Sequence, residues 1–177
     1  MTELMIQQAH EFYRKYIYNE ELISLLREYN IRIPGSISPQ LWELFGAILT
    51  GDRGTGSYGA DLSNYEVKSS IAGNSFEYQY HLKTGRGKLL KDMTVDHLFV
   101  SYSRDYRNVT FRQVTGNFLS EIFQSWLPGL EERYGSQESN RRYRKNISYS
   151  TVKAHGQVVM SIQDGMLIFP QNQLSSR

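Results

Sequence analysis

The sequence predicts an α/β fold in the loose sense, a mixed and largely antiparallel central sheet flanked by helices. Three observations predict it. Apolar residues recur at helical spacing from about Thr2 to Asn30 and again from Gln40 to Thr50, strict two-residue alternation takes over between Ser75 and Leu82, and strand-like runs follow at Asp96 to Ser103 and Val109 to Val114. Helices first, then strands with one late helix, is the order of a sheet covered by helices rather than of a bundle or a sandwich.

From about Thr2 to Asn30 the pattern is helical, with Met5, Ala9, Phe12, Tyr13, Tyr16 and Ile17 on one stripe, Leu22, Leu25, Leu26 and Tyr29 continuing it, and a break expected near Asn19. Ser38 with Pro39 supplies an N-cap and first-turn proline for a helix from Gln40 to Thr50, and Gly51 is its stop. In that helix Leu41, Leu44, Phe45 and Ile48 are expected to be buried, with Glu43 as the odd acid beside Trp42. Tyr65 to Ile71 reads as a strand. In the next one Phe76, Tyr78, Tyr80 and Leu82 alternate with Ser75, Glu77, Gln79 and His81. Gly85 to Met93 suits a short basic helix, and Leu98, Phe99 and Val100 suggest a strand buried in the sheet. A helix capped by Thr115 or Asn117 should reach about Leu127, where Pro128-Gly129 interrupts it before Leu130 to Tyr134. Ile147 to Val152, Val158 to Ile162 and Met166 to Phe169 are expected as terminal strands, with Asp164-Gly165 as the turn between the last two.

The 177 residues are expected to form one domain, 1-177, and 13 Tyr and 8 Phe can fill its core. No apolar run approaches the roughly 18 residues that span a bilayer, and the N-terminus lacks a signal-peptide pattern, so the expectation is a soluble, intracellular protein with no membrane. Cysteine is absent, which excludes thiolate metal sites and disulfides. His10, His81, His97 and His155 are too scattered for a histidine metal motif. Gly54 to Gly59 matches G-x-G-x-x-G, but a helix precedes it and a strand follows, the reverse of a dinucleotide-binding turn.

The segment Asp61-Leu62-Ser63-Asn64-Tyr65-Glu66-Val67-Lys68 carries the chemistry. With Ser63-Asn64 at a tight turn between two short strands, Asp61 and Glu66 stand opposite each other on one face, and Lys68 shares that face by the period of two. Side-by-side carboxylates repel unless a hard cation neutralises them through oxygen coordination. The alternative is a solvated hairpin, with Asp61 and Asn64 serving the turn and Glu66 and Lys68 a surface ion pair.

This segment resembles the core of the PD-(D/E)XK nuclease superfamily, to which most type II restriction endonucleases belong. Asp61 stands at the family's first acid, Glu66 at the (D/E), Val67 at the X and Lys68 at the lysine, while Ala60 replaces the proline. The likeness extends over about Gly51 to Leu82. It implies a restriction-endonuclease-like core and a prokaryotic, cytoplasmic, Mg2+-dependent double-strand DNA endonuclease, with Mn2+ as a substitute. Asp61, Glu66 and Lys68 would be catalytic, and Asp61, Glu66 and the Val67 carbonyl would be metal ligands. Glu43, on the helix ahead of the motif, is the candidate third acid. The likeness also implies a homodimer, and one such site per short chain makes two copies the economical way to cut both strands of a palindrome. Repair, nicking, transposon or junction endonucleases share the core. A non-catalytic DNA-binding module is the alternative from another class.

Net charge is only +2 with a pI near 8.7, but the cations cluster. Arg53, Lys68, Lys83, Arg86, Lys88 and Lys91 fall in the central third, and Arg141, Arg142, Arg144 and Lys145 form a second group suited to phosphates. Base reading is expected from segments flanking the site, chiefly Ser69, Ser70, Asn74, Ser75, Gln79 and His81. Removing Asp61 or Glu66 is expected to relieve repulsion and spare the fold.

Overall fold

The computed structural model describes residues 1–56, 59–135 and 142–168. Helix α1 (Glu3–Phe12) passes through one π-helical turn, Tyr13–Ile17, before α2 (Glu20–Glu28), which Asn19 caps by accepting from Leu22 N at 2.9 Å. The break expected near Asn19 is there. Helix α3 (Pro39–Thr50) begins on Ser38-Pro39 and ends at Gly51, whose φ of 73° is the left-handed conformation of a glycine stop. Its buried residues are Trp42, Phe45, Gly46 and Leu49, while Leu44 is exposed, so the inward face lies one residue round from the expected one. Gly46 suits this rotation: a Cβ there would stand 3.0 Å from Val67 Cγ2, a contact tight enough that the valine would have to shift.

Strands β1 (Tyr65–Ile71), β3 (Asp96–Tyr102), β4 (Val109–Val114), β6 (Gln157–Gln163) and β7 (Met166–Ile168) form the main sheet in the order β1-β3-β4-β6-β7. β1 and β3 are parallel and the other pairs antiparallel. The chain between the two parallel strands makes β2 (Phe76–Tyr80) and α4 (Gly85–Asp92), a crossover of the kind parallel pairing requires. β2 pairs antiparallel with β5 (Tyr143–Ile147) as a separate ribbon.

No two-stranded hairpin spans Asp61 to Lys68. Leu62 N donates to Tyr65 O at 2.9 Å, Leu62 makes an isolated bridge with Gly54, and Glu66 lies beside His97 of β3. Helix α5 (Gly116–Gly135) runs through Pro128 without the interruption expected at Pro128-Gly129. Phe123, Trp126 and Leu130 continue one buried stripe across the proline, and packing outweighs the lost hydrogen bond. Ile147 to Val152 is not one strand: Ser148 accepts from Thr151 N at 3.0 Å and starts α6 (Tyr149–His155). β7 ends at Ile168, and Phe169 lies outside the described residues.

The sheet therefore carries a core on each face. One side, with Val67, Leu98, Val100 and Phe111, packs on Tyr13, Trp42 and Phe45 of the N-terminal helices. The other, with Phe99 and Val114, packs on Tyr78 and Tyr80 of the ribbon and on Leu119, Phe123 and Trp126 of α5. The result is a mixed α/β architecture with a mostly antiparallel sheet flanked by helices. Among the described residues no helix is long and apolar enough to cross a membrane.

Candidate active site

β1 lies at the edge of the main sheet, and its odd-numbered peptide groups face outward. Tyr65 O takes the Leu62 amide, and Val67 N donates to Asp61 Oδ2 at 3.0 Å. In a strand the N–H and C=O of one residue point to the same side, so the Val67 carbonyl also faces the free edge beside Asp61. Asp61 N in turn donates to Glu66 Oε2 at 3.0 Å. The two acids are thus clamped reciprocally, each carboxylate holding a backbone amide of the other's segment. They meet as the sequence suggested, but through a loop and a strand edge rather than across a ladder.

By alternation Val67 enters the core, and Glu66 and Lys68 stand on the opposite face, in register with His97 and Phe99. Glu66 is fully buried, and its Oε1 receives Lys68 Nζ at 2.5 Å and Lys88 Nζ at 2.6 Å. Lys88, from α4, also reaches Asp92 Oδ1 at 3.3 Å and Gly59 O at 3.0 Å. Asp92 is buried and accepts from Tyr80 Oη at 3.0 Å, while its carbonyl meets His97 Nε2 at 2.8 Å. His97 Nδ1 lies 2.8 Å from Tyr78 Oη, and Lys68 Nζ sits 5.1 Å from the Tyr78 ring centroid. The solvated hairpin is thereby corrected: a carboxylate this buried, paired with two ammoniums, is no surface ion pair.

Burial opposes the charge on Glu66, but Lys68 and then Lys88 outweigh it and hold its pKa down to about 2. Burial and the neighbouring Glu66 charge push the Asp61 carboxyl above its ordinary range, against the pull of Lys68 and Lys88. Burial works to deprotonate Lys68, yet Glu66 and Asp61 keep its ammonium well above the ordinary lysine range. Glu43, half-buried on α3, is raised by burial and then by Asp61, which puts the candidate third acid within electrostatic reach of the pair. Glu43, Asp61, Glu66 and Asp92 face Lys68 and Lys88, so acids outnumber bases by two when all are ionised.

That donor chemistry fits a hard divalent cation. Asp61 and Glu66 supply carboxylate oxygens and Val67 a carbonyl, the oxygen ligands Mg2+ or Mn2+ takes. Among the described residues no three acidic or imidazole groups are drawn into a closed cage, so the fit rests on these oxygens. In this arrangement the ammoniums of Lys68 and Lys88 occupy the Glu66 oxygen that a cation would share.

Asp92 and His97 set an unusual pH response. Burial and then the Glu66 charge push Asp92 up to about 7 from 3.8, so its contribution to stability is present below 3.8 and lost as the pH rises through about 7. Burial pushes His97 down to about 4 from 6.5, so its contribution is present above 6.5 and lost as the pH falls through about 4. Over the shared interval the two oppose. Asp92→Asn removes only the first, and its stability to urea is expected to fall more steeply on acidification than that of the parent. Identical pH dependence would contradict the assignment.

The expected DNA-contacting residues divide into groups. Arg53 is exposed on the loop before Asp61, Ser69 and Ser70 are half-buried on β1, and Asn74 and Ser75 are exposed in the turn into β2. Gln79 accepts from Arg142 at 2.6 Å, and Arg144 pairs with Glu77 at 3.4 Å, so the polar face of β2 and the second basic cluster share one ribbon surface. That surface points away from the inner face of β2, where Tyr78 and Tyr80 meet Lys68, His97 and Asp92. His81 and Lys83 are exposed just beyond β2, Arg86 pairs with Glu131 at 3.1 Å, and Arg141 lies outside the described residues. The sequence names Lys88 only among the clustered cations, and gives Asp92, His97, Tyr78 and Tyr80 no site role. The i,i+4 spacing of Lys88 and Asp92 on a short helix was the available signal. No protein-family model matches the chain, and no curated protein matches it in sequence.

Proposed function

We propose that the chain is a Mg2+-dependent endodeoxyribonuclease with a restriction-endonuclease-like core, cutting both strands of a short DNA site as a homodimer. The observation that carries this reading is the convergence of Asp61, Glu66 and Lys68 at the free edge of β1, with the Asp61 and Glu66 segments clamped to each other and Lys68 Nζ on Glu66. Asp61, Glu66 and the Val67 carbonyl would hold Mg2+, which when bound lowers the pKa of a coordinated water and offsets charge on the phosphoryl group. Lys68, held protonated in the resting site, orients the attacking water by donating a hydrogen bond and stabilises charge developing on the phosphate oxygens. Burial of Glu66 and the ring of Tyr78 over Lys68 fix that ammonium in place.

Supporting a homodimer, Tyr16, Leu22 and Tyr29 on the N-terminal helices are each at least half exposed, at 52%, 53% and 69%. They belong to the apolar stripe a partner copy would cover. Leu26, on the same stripe, is half-buried. DNA contacts are assigned to Arg53, Ser69, Ser70, Asn74, Ser75, Gln79, His81, Lys83, Arg86, Arg141, Arg142 and Arg144.

A second reading, a non-catalytic DNA-binding module, is favoured by one observation: both ammoniums already satisfy Glu66, as a structural ion cluster would. Plasmid DNA separates the two. Incubated with the protein and Mg2+, it is expected to give discrete linear fragments with no long-lived nicked form, and none when Mg2+ is chelated. Fragments that persist under chelation, or binding with no cutting, would remove the proposal. Persistent nicking by a protein that sediments as a monomer both free and on DNA would promote a nicking endonuclease.

A further inference from the structure

We propose that the cleft between α4 and the loop before Asp61 seats the backbone phosphate next to the scissile one, and that Lys88 couples this seat to cation binding at Glu66. The cleft holds about 500 Å3 and is lined by Lys83, Lys88, Lys91, Thr84, Gly59 and Gly87 among others, and no lining residue is acidic. Some surface cations are paired, Arg86 with Glu131, Arg144 with Glu77 and Arg27 with Asp105. Lys83 and Lys91 have no carboxylate partner among the described residues. Lys83 and Lys91, without a counter-charge beside one cleft, repel each other and Lys88, and an anion between them removes the repulsion. A Cβ built at Gly87 would meet no atom within 4 Å, so this wall leaves the backbone open to a ligand. The volume accommodates a phosphate with part of its sugar.

Position identifies the anion, and here the inference rests on the nuclease reading. Gly59 and Ala60 of the wall run directly into Asp61, and Lys88 Nζ is shared between the cleft and Glu66 Oε1. A phosphate in the cleft is therefore one side chain away from the paired carboxylates, the place of a neighbouring phosphodiester on the strand being cut. Lys88 makes the two occupancies interdependent. A cation at Glu66 competes with the ammonium for Oε1 and turns it toward the cleft, while a phosphate in the cleft draws it off Oε1 and opens that oxygen. Each ligand thus favours the state the other prefers, and the coupling is reciprocal.

The test is a titration of the whole chain with a thymidine dinucleotide, which carries one phosphodiester, followed through backbone amide resonances with and without Mg2+. The dinucleotide is expected to shift Gly59, Thr84, Gly87 and Lys88, and Mg2+ to tighten it by about fivefold or more. Lys83→Gln/Lys91→Gln, which alters only exposed side chains, should weaken it by roughly tenfold while leaving Mg2+ affinity unchanged. Lys88→Gln should bind both ligands without mutual effect. Shifts confined to another surface, parental affinity in the Lys83→Gln/Lys91→Gln variant, or no effect of Mg2+ on the parent would overturn the proposal. Its failure is separable from that of the nuclease reading: a seated dinucleotide with uncut plasmid supports the cleft and removes the nuclease, and cut plasmid with the dinucleotide elsewhere does the reverse.

Discussion

Asp61→Asn is expected to leave a folded protein that still binds DNA but cuts it on the order of a thousandfold more slowly, or not at all, in Mg2+. Asparagine keeps an oxygen for the Val67 amide, so the clamp on β1 survives. The folded state already disfavours the Asp61 charge through burial and Glu66, so neutralising it costs little stability. What is lost is a charged ligand for the cation. Plasmid cleavage, followed alongside thermal unfolding and a mobility-shift titration, checks all three parts, and undiminished cutting would discard the site. Lys68→Ala should be similarly inactive. Lys68→Arg should rescue poorly, since a planar guanidinium cannot replace a compact ammonium between Glu66 and the Tyr78 ring.

Glu66→Ala is expected to behave differently, losing about 3–5 kcal/mol of stability to urea. The sequence alone suggested that removing either acid relieves repulsion. For Glu66 that expectation is corrected, because its carboxylate neutralises both Lys68 and Lys88 and accepts the Asp61 amide. Its removal strands the Lys68 ammonium in a largely buried site and leaves Lys88 with Asp92 and Gly59 O alone. Glu66→Leu combined with Lys68→Met and Lys88→Met removes these three charges, leaves Asp92 to its Tyr80 hydrogen bond, and should recover part of the loss, as apolar replacements of buried ion groups do. A fully stable Glu66→Ala would show that the ammoniums reach solvent and that the cluster contributes little to the fold.

The contrast between Asp61 and Glu66 marks how far the sequence could be read. Side-chain alternation is local, so Glu66 and Lys68 on one face and Val67 on the other were legible, as were the inward Phe76, Tyr78 and Tyr80 of β2, though Leu82 lies past the strand and is exposed, and the Ser38-Pro39 helix start. The partner of β1 was not. Strand pairing is decided by distant residues, and β3 took the ladder position that a local hairpin would have filled. The same limit hid Lys88 and Asp92, which the β1-to-β3 crossover brings beside Glu66 on α4, and His97, which the β1–β3 pairing sets in register with Glu66. Pro128 misled for a related reason: its local cost is real, but the buried stripe of Phe123, Trp126 and Leu130 holds the helix together across it. Ile147 to Val152 has strand-like residues, yet the Ser148 cap starts a helix after Ile147.

Calorimetric titration of Mn2+ into the parent protein and Asp61→Asn, each with duplex DNA present, tests the central claim most directly. A divalent cation held between Asp61, Glu66 and the Val67 carbonyl predicts saturable Mn2+ binding to the parent that disappears in the variant while DNA affinity is retained. Equal Mn2+ binding by both proteins, or none by either, would contradict a metal-dependent active site at the edge of β1.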